Sequence, residues 1–211
     1  MNFIFISPQF PKHYWNFCDR IKKNGVNVLG IGDSPYDALS DELKNALTEY
    51  YYLPHLDDYG EMVKAVGFFT FKYGKIDWIE SNNEFWLEQD ARLRTDFHVT
   101  TGEQYDHIDR IKNKSAMKAY YAKAGVPTAR LHKVTSFEAG RDFAHMVGYP
   151  VIVKPDNGVG ACDTYKLHSD DELAYFYATK PQDVPYVMEE FINGQIFSYD
   201  AILDSHSEPL F

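Results

Sequence analysis

The first 105 residues set a rhythm that few architectures satisfy. Short apolar runs, NFIFIS (2–7), VNVLGIG (26–32) and KIDWIES (75–81), are each followed by a stretch whose apolar residues recur at helical spacing. After the first run, KHYWNFCDRIKKNG (12–25) places Tyr14, Phe17, Cys18 and Ile21 on one helical face and ends at Gly25. A helix within DALSDELKNALTEYYYL (37–53) runs into the tyrosines, and YGEMVKAVGFFTFKYG (59–74) is helical again. NEFWLEQDARLRTDF (83–97) is a helix that turns Phe85, Leu87, Ala91 and Leu93 toward a core. Strands separated by helices must pair in parallel, because a parallel partner is reached only by a long crossover. The predicted unit is a Rossmann-like parallel sheet with helices on its faces. It lacks the Gly-x-Gly-x-x-Gly turn after its first strand, so no dinucleotide is assigned to it. SNNEFW (81–86) follows a strand end, where such sheets place ligands. It is read as a helix N-cap at Asn82 or Asn83, with substrate contact as the alternative.

TTGEQYDHIDRIKNK (100–114) is polar and of mixed charge, and reads as the crossing to a second unit. There the order changes. SAMKAYYAKAGVPTAR (115–130) opens with a helix that has Ser115 as its expected cap and is ended by Gly125 with Pro127. Strand RLHKV (130–134) and helix TSFEAGRDFAHMVG (135–148) follow. Helix SDDELAYFYAT (169–179) carries its acids at the start, where they suit the helix dipole. YVMEEFI (186–192) and IFSYDAILD (196–204) are predicted strands around an Asn193-Gly194 hairpin turn. The last ten residues, ILDSHSEPLF, read as a strand, a polar turn and the start of a return strand. That ending predicts a truncated chain whose natural protein continues.

Composition narrows the partners. The 211 residues are 45% hydrophobic and carry a net charge of −10. That is ample for a core and unfavourable for nucleic acid or an anionic membrane. The aromatic share, 16%, is read as core and half-buried surface rather than a stacking platform for bases. Cys18 and Cys162 are far apart and in no metal spacing, which suits a reducing compartment. Cys162 is read as a small packing residue, and the histidines form no ligand pattern, so no metal site is assigned. The N-terminus has no basic lead-in to its short apolar run. No run approaches the roughly 18 apolar residues of a membrane span. A soluble, cytoplasmic protein is expected, and a homo-oligomer is compatible with these features.

The stretch YPVIVKPDNGVGACDTYKL (149–167) raises a chemical question: an apolar strand ends on Lys154 and opens into a glycine-rich turn. Backbone N–H groups in such a turn can converge on anionic oxygens, with glycine allowing close approach and positive φ. Asn157, Gly158, Val159 and Gly160 could form that cradle beside the lysine. A plain hairpin with a snorkelling lysine is the alternative. A P-loop would place its lysine after the glycines and then a helix, so this is not one. Lys112 and Lys114 precede the next helix, and by themselves read as solvated. Glu189 and Glu190 end an apolar strand whose edge could offer backbone groups to a flat heterocycle, or could be an ordinary acidic strand end.

Taken together, NKSAMKAYYAKAGVPTAR (113–130), GYPVIVKPDNGVGACDTYK (148–166) and YVMEEFINGQIFSYDAI (186–202) resemble the ATP-grasp superfamily. The nearest likeness is to the carbamoyl phosphate synthase large subunit and related carboxylate–amine ligases. The resemblance implies residues 1–105 as the preceding Rossmann-like domain. It implies residues 106–211 as an incomplete α+β ATP-grasp domain, comprising the N-terminal subdomain and the start of the C-terminal one. It implies ATP and Mg2+ as cofactors and a small carboxylate or bicarbonate as substrate. That substrate would be phosphorylated to an acyl phosphate and attacked by an amine or ammonia. It implies Lys114 and Lys154 on the ATP phosphates, and the loop Asn157, Gly158, Val159, Gly160 and Ala161 closing over them. Glu189 and Glu190 would lie at the adenine amino group and Ile192 would offer backbone to the ring. Ile196 stands where many relatives have an acid for the ribose hydroxyls; Asp200 is the alternative. The family's magnesium acids and late catalytic residue would lie beyond this chain, so the 211 residues should not turn over and no catalytic residue is assigned. A non-catalytic nucleotide-binding or regulatory module of the same fold is the alternative function.

Overall fold

The computed structural model describes residues 1–160, 162–204, 206 and 208–210. They form two compact units, one of Met1–Val126 with Asn157–Gly160, the other of Pro127–Asp156 with the described residues from 162 onward. The boundary by packing thus follows Val126, one helix later than the sequence-drawn crossing.

In the first unit the sheet is parallel throughout, in the order β3-β2-β1-β4. Its strands are β1 (Asn2–Ile6), β2 (Asn27–Gly32), β3 (Glu49–Tyr52) and β4 (Trp78–Glu80). Between them run α1 (Trp15–Lys23), α2 (Asp41–Ala46) and α3 (Tyr59–Tyr73), and α4 (Leu87–Asp96) follows β4. Consecutive residues of a strand point to opposite faces, and both faces are covered. Ile4, Ile6, Leu29, Ile31 and Ile79 pack with Met62, Phe69 and Leu93 from α3 and α4. Phe5 and Val28 pack the other way, with Cys18, Leu43 and Leu47. Burial on two sides is why these strands read as continuous apolar runs rather than alternations. The tyrosines after α2 do not prolong the helix. It stops after six residues with Leu47 extended (ψ 151°), and Glu49–Tyr52 becomes the edge strand β3, in keeping with the strand preference of aromatic side chains. Phe85 is also corrected. It sits in a 3₁₀ turn ahead of α4 and is 62% exposed, whereas Ala91 and Leu93 are buried as expected. Two short helices complete the unit, α5 (Asp109–Lys112) and α6 (Lys114–Lys123). Asn113, not Ser115, stands at the cap position of α6.

The second unit contains β5 (Leu131–Lys133), α7 (Phe137–Val147), β6 (Val151–Pro155), β7 (Tyr165–Leu167), α8 (Asp170–Thr179) and β8 (Tyr186–Glu190). Its sheet is antiparallel, in the order β5-β8-β6-β7. Both helices pack on one face: Phe143, Ala144, Leu173 and Phe176 meet Val151, Val153, Leu167, Tyr186 and Met188. Ser136 and Ser169 cap α7 and α8 by accepting from Ala139 N and Glu172 N. The predicted strand over 196–204 and its Asn193-Gly194 hairpin do not form. Residues 195–202 join no sheet, and Ile196, Phe197 and Tyr199 are exposed. The return pairing expected at the end is present in brief: Asp204 N donates to Glu208 O and Leu210 N to Ile202 O. Among the described residues no helix is long and apolar enough to cross a membrane.

Candidate functional site

Lys154 is the fourth residue of β6. Its neighbours Val153 and Pro155 are buried, so its side chain and that of Ile152 point to the face opposite α7 and α8. Across the ladder, Ile152 pairs with Glu189 and Lys154 with Val187. Lys154 and Glu189 are therefore diagonal neighbours on one face, within reach of long side chains. Lys154 Nζ lies 2.6 Å from Glu189 Oε2, with side-chain exposures of 26% and 11%. At that depth the pair is screened less than a surface ion pair, and the ammonium is held at a fixed place on the sheet.

Glu190 faces the other way and has a separate task. Its carboxylate accepts from Arg130 N (2.7 Å) and Arg130 Nε (2.7 Å), tying the entry of edge strand β5 to the end of β8. Arg130 was not singled out from the sequence, because a strand-initial arginine carries no signal until its cross-strand partner is known. Ile192 lies two residues past β8 and is 63% exposed. Just before it, the Phe191 ring faces Lys166 Nζ at 3.9 Å.

The turn between β6 and β7 divides its allegiance, since Asn157–Gly160 packs with the first unit. There Lys114 Nζ, at the first residue of α6, donates to Gly158 O at 3.0 Å. Asn157 Nδ2 donates to Glu88 Oε2 at 3.5 Å. Gly160 adopts φ +66°, and a Cβ there would meet nothing within 4 Å. The glycine is thus required by the left-handed backbone and not by crowding. Ala161 lies outside the described residues. Cys162, expected to pack, is exposed.

The structure accordingly gathers Lys114, Asn157, Gly158, Val159 and Gly160 in one unit. It gathers Lys154 and Glu189 on a single sheet face in the other, with Glu190 at the same strand end. It separates the two early lysines by role. Lys112 is only 7% exposed and donates to Glu84 O at 2.7 Å, so it is a buried strut. Among the described residues, no group of three or more His, Cys, Asp or Glu is placed to hold a metal ion. In the first unit the Lys114 ammonium is tied to the backbone of a turn that is free of side-chain crowding at Gly160; in the second, Lys154 is paired with Glu189.

Known proteins resemble this chain in sequence and in fold. Residues 109–195 match the family model described as the carbamoyl-phosphate synthase L chain, ATP binding domain. The L-arginine-specific L-amino acid ligase of Bacillus subtilis is 28% identical over 163 residues, covering 76% of this chain and 38% of that protein. The carbamoyl phosphate synthase large chain of Agathobacter rectalis is 27% identical over 106 residues, covering 49% and 10%. Among solved structures, the biotin carboxylase domain of Hydrogenobacter thermophilus 2-oxoglutarate carboxylase, in complex with MgADP, ADP and bicarbonate, superposes with a TM-score of 0.71. It is 20% identical and covers 90% of this chain and 44% of that one. N5-carboxyaminoimidazole synthetase from Staphylococcus aureus, complexed with ADP, gives a TM-score of 0.68 at 18% identity, covering 91% and 47%. The chain thus spans less than half the length of these relatives. On these findings the chain is similar over residues 109–195 to the ATP-binding domain of the carbamoyl-phosphate synthase L chain, and it shares its fold with ATP-grasp proteins.

Proposed function

We propose that this chain is the ATP-binding part of a ligase. In this reading residues 1–105 are the preceding parallel-sheet domain, and 106–211 hold the N-terminal ATP-grasp subdomain and the start of the C-terminal one. The observation that carries the reading is Lys154 Nζ at 2.6 Å from Glu189, on a strand that runs directly into the glycine turn. The ion pair orients Lys154 for the nucleotide phosphates. Lys114 and the N–H groups of residues 157–160 add further donors, and Ala161 would extend that loop. Glu189 and Glu190 would mark the strand end beside the adenine amino group, with Ile192 presenting its backbone to the ring.

The chemistry is the activation of a small carboxylate or bicarbonate. A carboxylate oxygen attacks the γ-phosphorus and ADP leaves. An amine or ammonia then attacks the acyl carbon, phosphate leaves, and the nitrogen gives up a proton. Positioning and charge neutralisation are the protein's share of such a reaction. Magnesium, when bound, would neutralise phosphate charge. The described residues offer it no cluster of ligands, so no step is assigned to it here.

The test is thermal unfolding with and without ATP and ADP. A ligand that binds only the folded state adds about 2.7 kcal/mol at 100 times its Kd. Lys154→Ala should weaken nucleotide binding by about 1.5–3 kcal/mol, as expected for a lost charge-assisted contact. Because that variant also removes the cation beside buried Glu189, the charge-balanced pair Lys154→Met with Glu189→Gln should be measured too. Undiminished affinity in both would overturn the reading. Nucleotide binding in the full-length protein without ADP release, across a panel of small carboxylates and bicarbonate, would favour the non-catalytic module instead.

A further inference from the structure

The first unit has a crevice of its own, at the point where its strand order reverses direction. The chain passes from β1 outward to β2 and β3 on one side, and β4 lies on the other. Loops leaving the carboxyl ends of such strands diverge and open a crevice there, the general place for ligands in open α/β sheets. Here they enclose a cavity of about 400 Å³ lined by Gln9, Phe10, Asp33, Asn83, Phe85 and Trp86, with Val159 also on its wall.

The backbone around it is held in an uncommon state. Ser7, directly after β1, has φ +53°, and Asn82, two residues after β4, has φ +54°. Non-glycine residues in this region are strained, and they persist where surrounding structure imposes them, often at ligand sites. Gln9 is bound on one side only. Its Nε2 donates to Asp33 Oδ1 (2.7 Å) and Ser7 Oγ (3.2 Å), while its Oε1 is buried with no hydrogen-bond partner among the described residues. Room for that oxygen depends on Gly32, where a Cβ would collide with Gln9 Oε1 and the Tyr50 hydroxyl.

The chemistry of the lining is specific. Asp33 is the one charged residue among those lining the cavity; Lys12 belongs to the adjoining cavity over α2. Phe10 and Phe85 stand 64% and 62% exposed at its edge, and Phe85 meets Trp86 edge-on with ring centroids 4.6 Å apart. A carboxylate and aromatic faces together suit an ammonium, by charge-assisted hydrogen bonding and cation–π attraction. We propose that this crevice binds a primary ammonium ligand with an apolar or aromatic body. Its ammonium would sit beside Asp33, and its body against Phe10, Phe85 and Trp86. The proposal does not depend on nucleotide binding. Where the ligase reading also holds, such a ligand, once deprotonated, belongs to the class of nucleophile that reaction consumes.

The experiment titrates the intact chain, without nucleotide, with phenethylammonium chloride and with its neutral counterpart 2-phenylethanol at pH 7, read by calorimetry. The ammonium should bind saturably and at least about tenfold more tightly than the alcohol, the scale of one charge-assisted contact. Asp33→Asn, at an exposed position, should bring the two to parity. Phe85→Ala should weaken both. Lys154→Ala should bind the ammonium as the wild type does, so failure of the nucleotide reading is seen separately. Three results would overturn the proposal: equal affinity for amine and alcohol in the wild type, discrimination that survives Asp33→Asn, or no saturable binding of either compound. The first would mark the aromatic rim as a purely apolar surface.

Discussion

The two sheets solve the same packing problem in opposite ways. The parallel sheet is covered on both faces, and β2 is buried at five of its six positions. The antiparallel sheet packs α7 and α8 on one face only, and β6 alternates between buried and half-buried side chains. Charge follows the same division. In the first unit the cation is the sealed partner: Arg94, 2% exposed, joins Glu80, whose side chain is 23% exposed, beside buried Asp90. In the second, Lys154 and Glu189 lie on a sheet face that the unit's own helices leave alone. The buried cation of the first unit is committed to the fold, whereas the cation of the second, 26% exposed, keeps contact with solvent while its partner Glu189 is buried.

The comparison breaks most visibly at Arg94. Its Nε donates to Ile79 O, its Nη1 to Glu103 O and its Nη2 to Glu80 Oε2, all within 2.9 Å. Arg94→Met strands the Glu80 carboxylate and two carbonyls. Removing one partner of a buried pair costs about 3–5 kcal/mol. Thermal unfolding should show a fall of roughly 2–4 °C per kcal/mol for a chain of this size. A fall of only a degree or two would mean that the network is not sealed.

Asp90 gives that network a pH signature. Burial first, then the charge of Glu80, pushes its carboxyl up to about 8, against the hydrogen bonds from Ser81 and the nearby Arg94. The folded chain then keeps a proton that the unfolded chain has already lost. Stability contributed by Asp90 is therefore present below the ordinary carboxylate range and drains away as pH rises toward 8. Asp90→Asn cannot titrate. The stability of the variant relative to the wild type, read from the two Tm curves, should grow from pH 4 to pH 8 by about 1.4 kcal/mol per pH unit, on the order of 5 kcal/mol in all. Parallel curves would show that Asp90 is already ionised when folded.

Much of this was legible in the sequence. The parallel unit followed from strand and helix lengths, and the Lys154 strand and glycine turn from a local pattern. What escaped depended on partners distant in the chain. Lys112 looked like any solvated lysine until Glu84 O, 28 residues earlier, proved to hold it. Arg130 meets Glu190 from 60 residues away. Phe85 fitted the helical period but precedes the helix. The strand predicted at 196–204 had the right alternation, yet no described strand pairs with it. Alternation states which way side chains would point, not whether a ladder is there to receive them.

On the face opposite α7 and α8 the expected effects are smaller. Glu189→Gln leaves an acceptor near Lys154 but removes its charge. A hydrogen bond to a charged group is worth about 1.5–3 kcal/mol. The lower end applies, because the Lys154 side chain is 26% exposed and keeps part of its hydration. A drop as large as that of Arg94→Met would mean that this pair, too, is structural.

The smallest effect separates stability from binding within the second unit. Ser136 Oγ accepts from Ala139 N at 3.2 Å and so caps α7, whose Phe143 and Ala144 press on the core face of the sheet. Ser136→Ala should cost about 1 kcal/mol, the usual value of a lost N-cap, and lower the Tm by roughly 2–4 °C. The cap lies on the α7 side, whereas Ile152, Lys154, Val187 and Glu189 point the other way. Their register is set by the β6–β8 ladder, which the substitution does not touch. Nucleotide affinity measured well below the transition should therefore equal that of the wild type. A parallel loss of affinity would show that α7 positions Lys154 through the sheet, and that the two faces are mechanically one.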